Sequence, residues 1–123
     1  MQVDRAYRDV APGNPLRLHR ATTVWARLRG LHAYPGLSAH QGLFIAPCRA
    51  IHTLCMRYPI DVVFLDGQLN VLKRVDSLMP YRVTMCRNAA GVVELPAGYC
   101  LSYPDYPSRI RLVLTDMSAQ SSL

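Results

Sequence analysis

The sequence predicts an α+β fold that is mainly β: a small antiparallel barrel-like or sandwich domain carrying one short amphipathic helix. Three observations predict it. Short runs rich in β-branched and aromatic residues recur along the chain, with turn signals at roughly 8–12-residue spacing. Only one segment places its apolar residues at helical intervals. Half of the 123 residues are hydrophobic, which suffices for one real core.

Taken in order, residues 1–14 are polar, charged and Pro/Gly-punctuated, and read as an N-terminal arm. Residues 15–115 read as a single globular β-rich domain, and residues 116–123 as a polar, frayed C-terminal tail. Pro15 to Ala21 alternates Leu16 and Leu18 against Arg17 and His19, the pattern of a half-buried strand. Thr22 and Thr23 offer an N-cap to the helix, whose Val24, Trp25, Leu28 and Leu31 share one face up to a stop near Gly30. Tyr34-Pro35-Gly36 marks a loop; Gly42 to Ile45 is a short strand closed by Pro47.

The densest apolar stretch is Cys48 to Asp66. Ala50 to Arg57 reads as extended. Ile60 to Leu65 reads as a strand buried on both faces, because it is β-branched and bounded by Pro59 and Gly67. Asp66-Gly67 favours a turn with positive φ, after which Leu69 to Val75 returns antiparallel. Pro80 to Cys86 and Ala90 to Leu95 are further strands, with Pro96-Ala97-Gly98 as a turn and Tyr99 to Pro107 as an irregular connection. Arg109 to Thr115 alternates Ile110, Leu112 and Leu114 against Arg109, Arg111 and Val113, and reads as a last strand.

The net charge is +6, and 13 of the 14 basic residues are Arg, spread without runs longer than two. That dispersal fits a solvated basic surface better than a nucleic-acid patch, and the chain lacks interleaved exposed aromatics. The four cysteines, at 48, 55, 86 and 100, show no CxxC spacing, so neither a zinc ribbon nor a thioredoxin-type motif is indicated. The N-terminal residues lack the apolar segment of a signal peptide, and no run reaches the roughly 20 apolar residues of a membrane span. A cytoplasmic location with free thiols is the expectation.

Three separated blocks carry a resemblance to a known family: RLRGL (Arg27 to Leu31), GLFIAPCRAIHTLCMRYPIDVVFLD (Gly42 to Asp66) and VVELPAG (Val92 to Gly98). Residues from about Ala21 to Gly98 resemble the domain of unknown function 192 family of small bacterial and archaeal proteins. The chain departs from that pattern after RLRGL, where it reads His32-Ala33-Tyr34-Pro35-Gly36. The resemblance implies a β-rich, barrel-like fold with a small helical component and no established activity. Many relatives carry an export signal or lipoprotein anchor.

The candidate ligand-binding residues are His52, Met56, Arg57, Asp61 and Glu94, polar or soft groups set against strongly apolar sequence. A carboxylate inside an apolar run must be hydrogen-bonded or ion-paired. Arg57 is the nearest cation to Asp61, and an arginine such as Arg57 is the expected partner of Glu94. Used structurally, these residues fix strand ends; used for binding, they hold a small polar or anionic ligand, with Arg57 as the fork. The leading expectation is thus a non-enzymatic binding or accessory module whose partner is such a ligand or a protein.

Two other classes compete. His52 with Asp61 or Glu94 has the ingredients of an acid–base pair, and hence of a hydrolase or metal-dependent enzyme. Cys48, His52, Cys55 and Met56 are soft ligands, but Cys48 to Met56 spans about 27 Å on one straight strand at ~3.4 Å per residue, too far to share a metal. No metal and no cofactor is therefore assigned. Nucleic-acid binding through Arg17, Arg29, Arg109 and Arg111 is the third class.

Overall fold

The computed structural model of the chain describes residues 15–21, 39–53 and 56–121. Its strands are β1 (Arg17–Ala21), β2 (Gln41–Ile45), β3 (Ala50–His52), β4 (Ile60–Leu65), β5 (Val71–Leu78), β6 (Val83–Met85) and β7 (Gly91–Pro96). The helices α1 (Tyr99–Ser102) and α2 (Tyr106–Ser121) follow. Five strands form one sheet in the order β1-β2-β7-β4-β5, and β3 pairs with β6 in a second, two-stranded sheet. The β1–β2 pair is parallel; the other pairs are antiparallel.

The fold is α+β and mainly β, as the composition of its segments requires. Of the barrel-like or sandwich arrangements expected, a closed barrel is not the one formed. The five strands form an open series with β1 and β5 at its ends, and no pairing among the described residues closes it. All six residues of β4 are buried, because the strand lies between β7 and β5 and both its faces are covered. Side chains alternate across it. Val63 and Leu65 join Val93, Leu95, Tyr99, Ile110 and Leu114 in a core on the helical side. Ile60, Val62 and Phe64 join Leu43, Ile45, Ile51 and Val92 on the side of the small sheet. Where β2 passes β7, Gly42 is required: a Cβ there would lie 2.6 Å from the carbonyl oxygen of Glu94.

The β4–β5 hairpin forms as its sequence demands, but its corner differs in detail. The left-handed residue is Leu69, at φ 67°, and not Gly67. The Asp66 carboxylate accepts the N–H groups of Gln68 and Asn70 at 2.8 and 2.9 Å, which opens a wider loop than a two-residue turn.

The C-terminal segment is the larger correction. Residues 109–115 are helical, and α2 runs on through Ser121 where a frayed tail was expected. Ile110, Leu112 and Leu114 alternate, but Tyr106, Ile110, Leu114 and Met117 also fall at helical spacing, and these pack on the sheet. Pro107 sits in the first turn, where its missing N–H does no harm. Asp105 and Arg109 add a bridge of 3.0 Å one turn apart. The expected N-terminal arm, the expected amphipathic helix and the RLRGL motif lie outside the described residues.

Candidate functional site

Asp61 is fully buried in β4, on the helical side of the sheet. Its partner is not a guanidinium. Oδ1 accepts the backbone N–H groups of Ser77 at 2.9 Å and Gly98 at 3.0 Å, and Oδ2 accepts that of Cys100 at 3.0 Å. The local fold explains this. The β4–β5 register slips between Ile60 and Val62, and Ser77 there adopts φ 50°. That bulge turns an N–H away from the ladder and toward the carboxylate. Gly98 sits at φ 87°, a conformation costly for a side chain, and brings two more donors from the β7–α1 corner. Three N–H dipoles satisfy the charge that Arg57 was expected to meet.

Asp76 and the Cys100 thiol lie beside it, with potential ligand atoms of all three residues within 4.8 Å. Each is already engaged. Arg74 grips Asp76 through Nε and a second nitrogen, at 2.6 and 2.8 Å. Burial, then the Asp61 carboxylate, push the Cys100 thiol up to about 12, so it stays protonated. The arrangement is a structural knot that ties β5 and the first helix to β4.

Glu94 lies one residue pair away on β7, opposite Val62 and Leu43, and faces the other core. It is 5% exposed. Neither Arg57, which is exposed, nor any other cation among the described residues pairs with it. Burial pushes its carboxyl up to about 7. Tyr58 is near enough for the Glu94 charge to add to the burial that raises its own phenol. Met56 and Tyr58 pack, half-buried, against the apolar cluster that holds Leu43 and Val62.

The five predicted residues are therefore not one cluster. Met56 and Glu94 belong to one side of the main sheet and Asp61 to the other; Arg57 is exposed, and His52 is exposed on the outward face of β3. No hydrogen bond joins His52 to Asp61 or Glu94 among the described residues. Of the soft-ligand set, Cys48 is buried with its thiol directed at the Ala50 carbonyl, and Cys55 lies outside the described residues. Sequence reasoning missed Tyr58, Ser77 and Cys100. The last two contribute backbone N–H groups, which leave no trace in residue type.

The arginines nominated for nucleic acid divide similarly. Arg109 is buried over the Tyr103 ring at 4.5 Å while bridging Asp105. Arg111 holds the hairpin corner, donating to the Gln68 and Leu69 carbonyls and the Asn70 side chain at 2.9–3.3 Å. Arg17 is exposed on β1, and Arg29 lies outside the described residues.

Comparison with known proteins adds family and fold. The model of the DUF192 family, described as "Uncharacterized ACR", matches residues 8–103. No curated protein matches the chain. Among solved structures, a protein of unknown function from Novosphingobium aromaticivorans DSM 12444 is similar at TM-score 0.64 and 18% identity, over 71% of this chain and 67% of that one. A candidate transcription regulator from Sinorhizobium meliloti 1021 is similar at TM-score 0.66 and 18% identity, over 72% of this chain and 74% of its own. At such identity the likeness is one of fold. No helix among the described residues is long and apolar enough to cross a membrane.

Proposed function

The chain belongs to the DUF192 family of uncharacterised proteins, and on that footing we propose that it is a non-enzymatic binding module whose site is built on Glu94. The observation that carries this reading is a buried carboxyl with no cation beside it among the described residues. Such a group is unfavourable unless it keeps a proton or meets a donor. A ligand bearing an ammonium or another strong hydrogen-bond donor supplies that partner. Leu43, Val62, Met56 and Tyr58 give its body an apolar lining. The ligand is thus donor-bearing, which narrows the small polar or anionic ligand that the sequence suggested to its polar, donor-bearing kind, because Arg57 is exposed and Glu94 carries the site's acidic group.

No observation favours an enzyme centred on His52, which has neither carboxylate within hydrogen-bonding contact among the described residues. The nucleic-acid reading, which the name of the Sinorhizobium protein also prompts, draws no support from Arg109 and Arg111, both engaged within the fold.

A panel of small primary amines with apolar bodies, matched to neutral isosteres, tests the proposal by thermal shift at a pH above 7. Some amines should raise the melting temperature of the wild type and leave that of Glu94→Gln unchanged. Equal effects on both proteins, or none on either, would overturn it.

A further inference from the structure

We infer that the outward face of the β3–β6 sheet is a docking surface for an acidic, apolar segment of a partner protein. This face is separate from the Glu94 site. The pairing registers Ala50 with Met85 and His52 with Val83, while Ile51 and Thr84 point inward and are buried. The outward side chains are therefore Ala50, His52, Val83 and Met85, with Val83 66% and Met85 65% exposed. Met79 and Tyr81 extend the apolar display along the approach to β6, at 55% and 70% exposure. Four large apolar side chains within seven residues are a concentration, not the scattered exposure that any surface carries.

The approach to β6 is held rigidly. Thr53 is fully buried, and its hydroxyl donates to the Met79 carbonyl at 2.7 Å while accepting the Arg82 N–H at 2.9 Å. Its backbone accepts the Tyr81 N–H at 2.9 Å and donates to the Arg82 carbonyl at the same distance. Clamped in this way, Tyr81 takes φ 63°, a left-handed conformation that a bulky residue adopts only under constraint. The fold thus sustains backbone strain at the most exposed of these four apolar side chains. A rigid aromatic with adaptable methionines beside it is the composition of a protein-binding surface.

Charge selects the partner. Arg49 precedes β3, and Arg82 and Arg87 bracket β6; all three are exposed. Residues 49–53 and 79–87 contain no Asp or Glu. Apolar side chains bordered by arginines that have no ion-pair partner among the described residues complement a segment that carries carboxylates around apolar anchors. Nucleic acid is the poorer match, since only Tyr81 and His52 offer rings for stacking, and the Met and Val side chains between them offer none.

The test uses the full chain against two arrays of short peptides. One is randomised over Asp, Glu, Leu, Val and Phe, and the other over Lys, Arg, Leu, Val and Phe. The best acidic binders should lose affinity about tenfold or more in Tyr81→Asn, which keeps the left-handed backbone and removes the ring, and in Met85→Ser. Arg82→Glu with Arg87→Glu should turn the preference toward the basic array. Melting temperatures close to wild type in each variant separate lost contact from lost fold. The inference is overturned if no acidic peptide binds. It is equally overturned if binding is indifferent to these variants, or if a single-stranded oligonucleotide, anionic vesicles or a second copy of the chain occupies the face more tightly.

Discussion

Asp61 and Glu94 stand one register step apart on paired strands, yet they occupy opposite faces of the same sheet. Leu95 is the partner of Asp61, and Val62 is the partner of Glu94. Each carboxyl is buried, and their surroundings differ completely. Asp61 has three backbone N–H donors, whereas Glu94 has Tyr58 and an apolar lining. The difference sets opposite expectations for substituting them.

Asp61→Asn should destabilise the protein by about 3 kcal/mol in chemical denaturation. The amide keeps one acceptor for Ser77 and Gly98 but directs N–H protons at the Cys100 N–H. Midpoint loss without change in the denaturant slope is the expected form. A loss below about 0.5 kcal/mol, the level of an ordinary surface substitution, would contradict the knot described for Asp61.

Glu94 governs a pH dependence. Its carboxyl ionises near 4.5 when unfolded and near 7 when folded. Between those values the folded protein holds more protons, so stability falls as pH rises. The penalty is absent below 4.5, grows through the window and is complete above 7, amounting to roughly 3 kcal/mol. Glu94→Gln should remove it. The difference in unfolding free energy between the two proteins, followed from pH 4 to 8, should widen in favour of the variant; a constant difference would contradict the burial argument.

How much of this was readable in the sequence follows from what each feature depends on. Ile60 to Leu65 announces a buried strand because no other use of such a run fits between Pro59 and the Asp66 corner. Glu94 stands out as a polar intruder by residue type alone. The donors to Asp61 do not, since a bulge at Ser77 and a corner at Gly98 arise from tertiary pairing. Nor does the separation of Asp61 from Glu94: strand register decides the face, and register depends on partners far away in sequence. The C-terminal segment shows the complementary failure. Over seven residues the periods of strand and helix coincide at Ile110 and Leu114, and only the longer window from Tyr106 to Met117 separates them.

That helix supplies a direct check. Ile110 is fully buried in α2, whereas Arg111 is exposed and donates to the hairpin corner. Ile110→Ala should cost about 3 kcal/mol, and Arg111→Ala no more than about 1 kcal/mol. Similar costs at both positions would be incompatible with the helix packing on the sheet through one face.

The cysteines give a chemical readout of the same core. Cys100 is buried at 1% exposure beside a carboxylate that opposes thiolate formation, and Cys48 is buried with its thiol turned to a carbonyl. Cys86 is half-buried. Only the thiolate is the nucleophile, so reactivity needs both access and ionisation. Alkylation of the native protein at pH 8, read by peptide mass spectrometry, should therefore modify Cys86 before Cys48 and leave Cys100 untouched until denaturant unfolds the chain. In Asp61→Asn the opposing charge is gone while burial remains, so modification of Cys100 should rise only as far as the variant's lower stability allows transient opening. Rapid labelling of Cys100 in the folded wild type would mean that the donors around Asp61 are open to solvent, and the knot between β4 and the first helix would then be lost as an account of this fold.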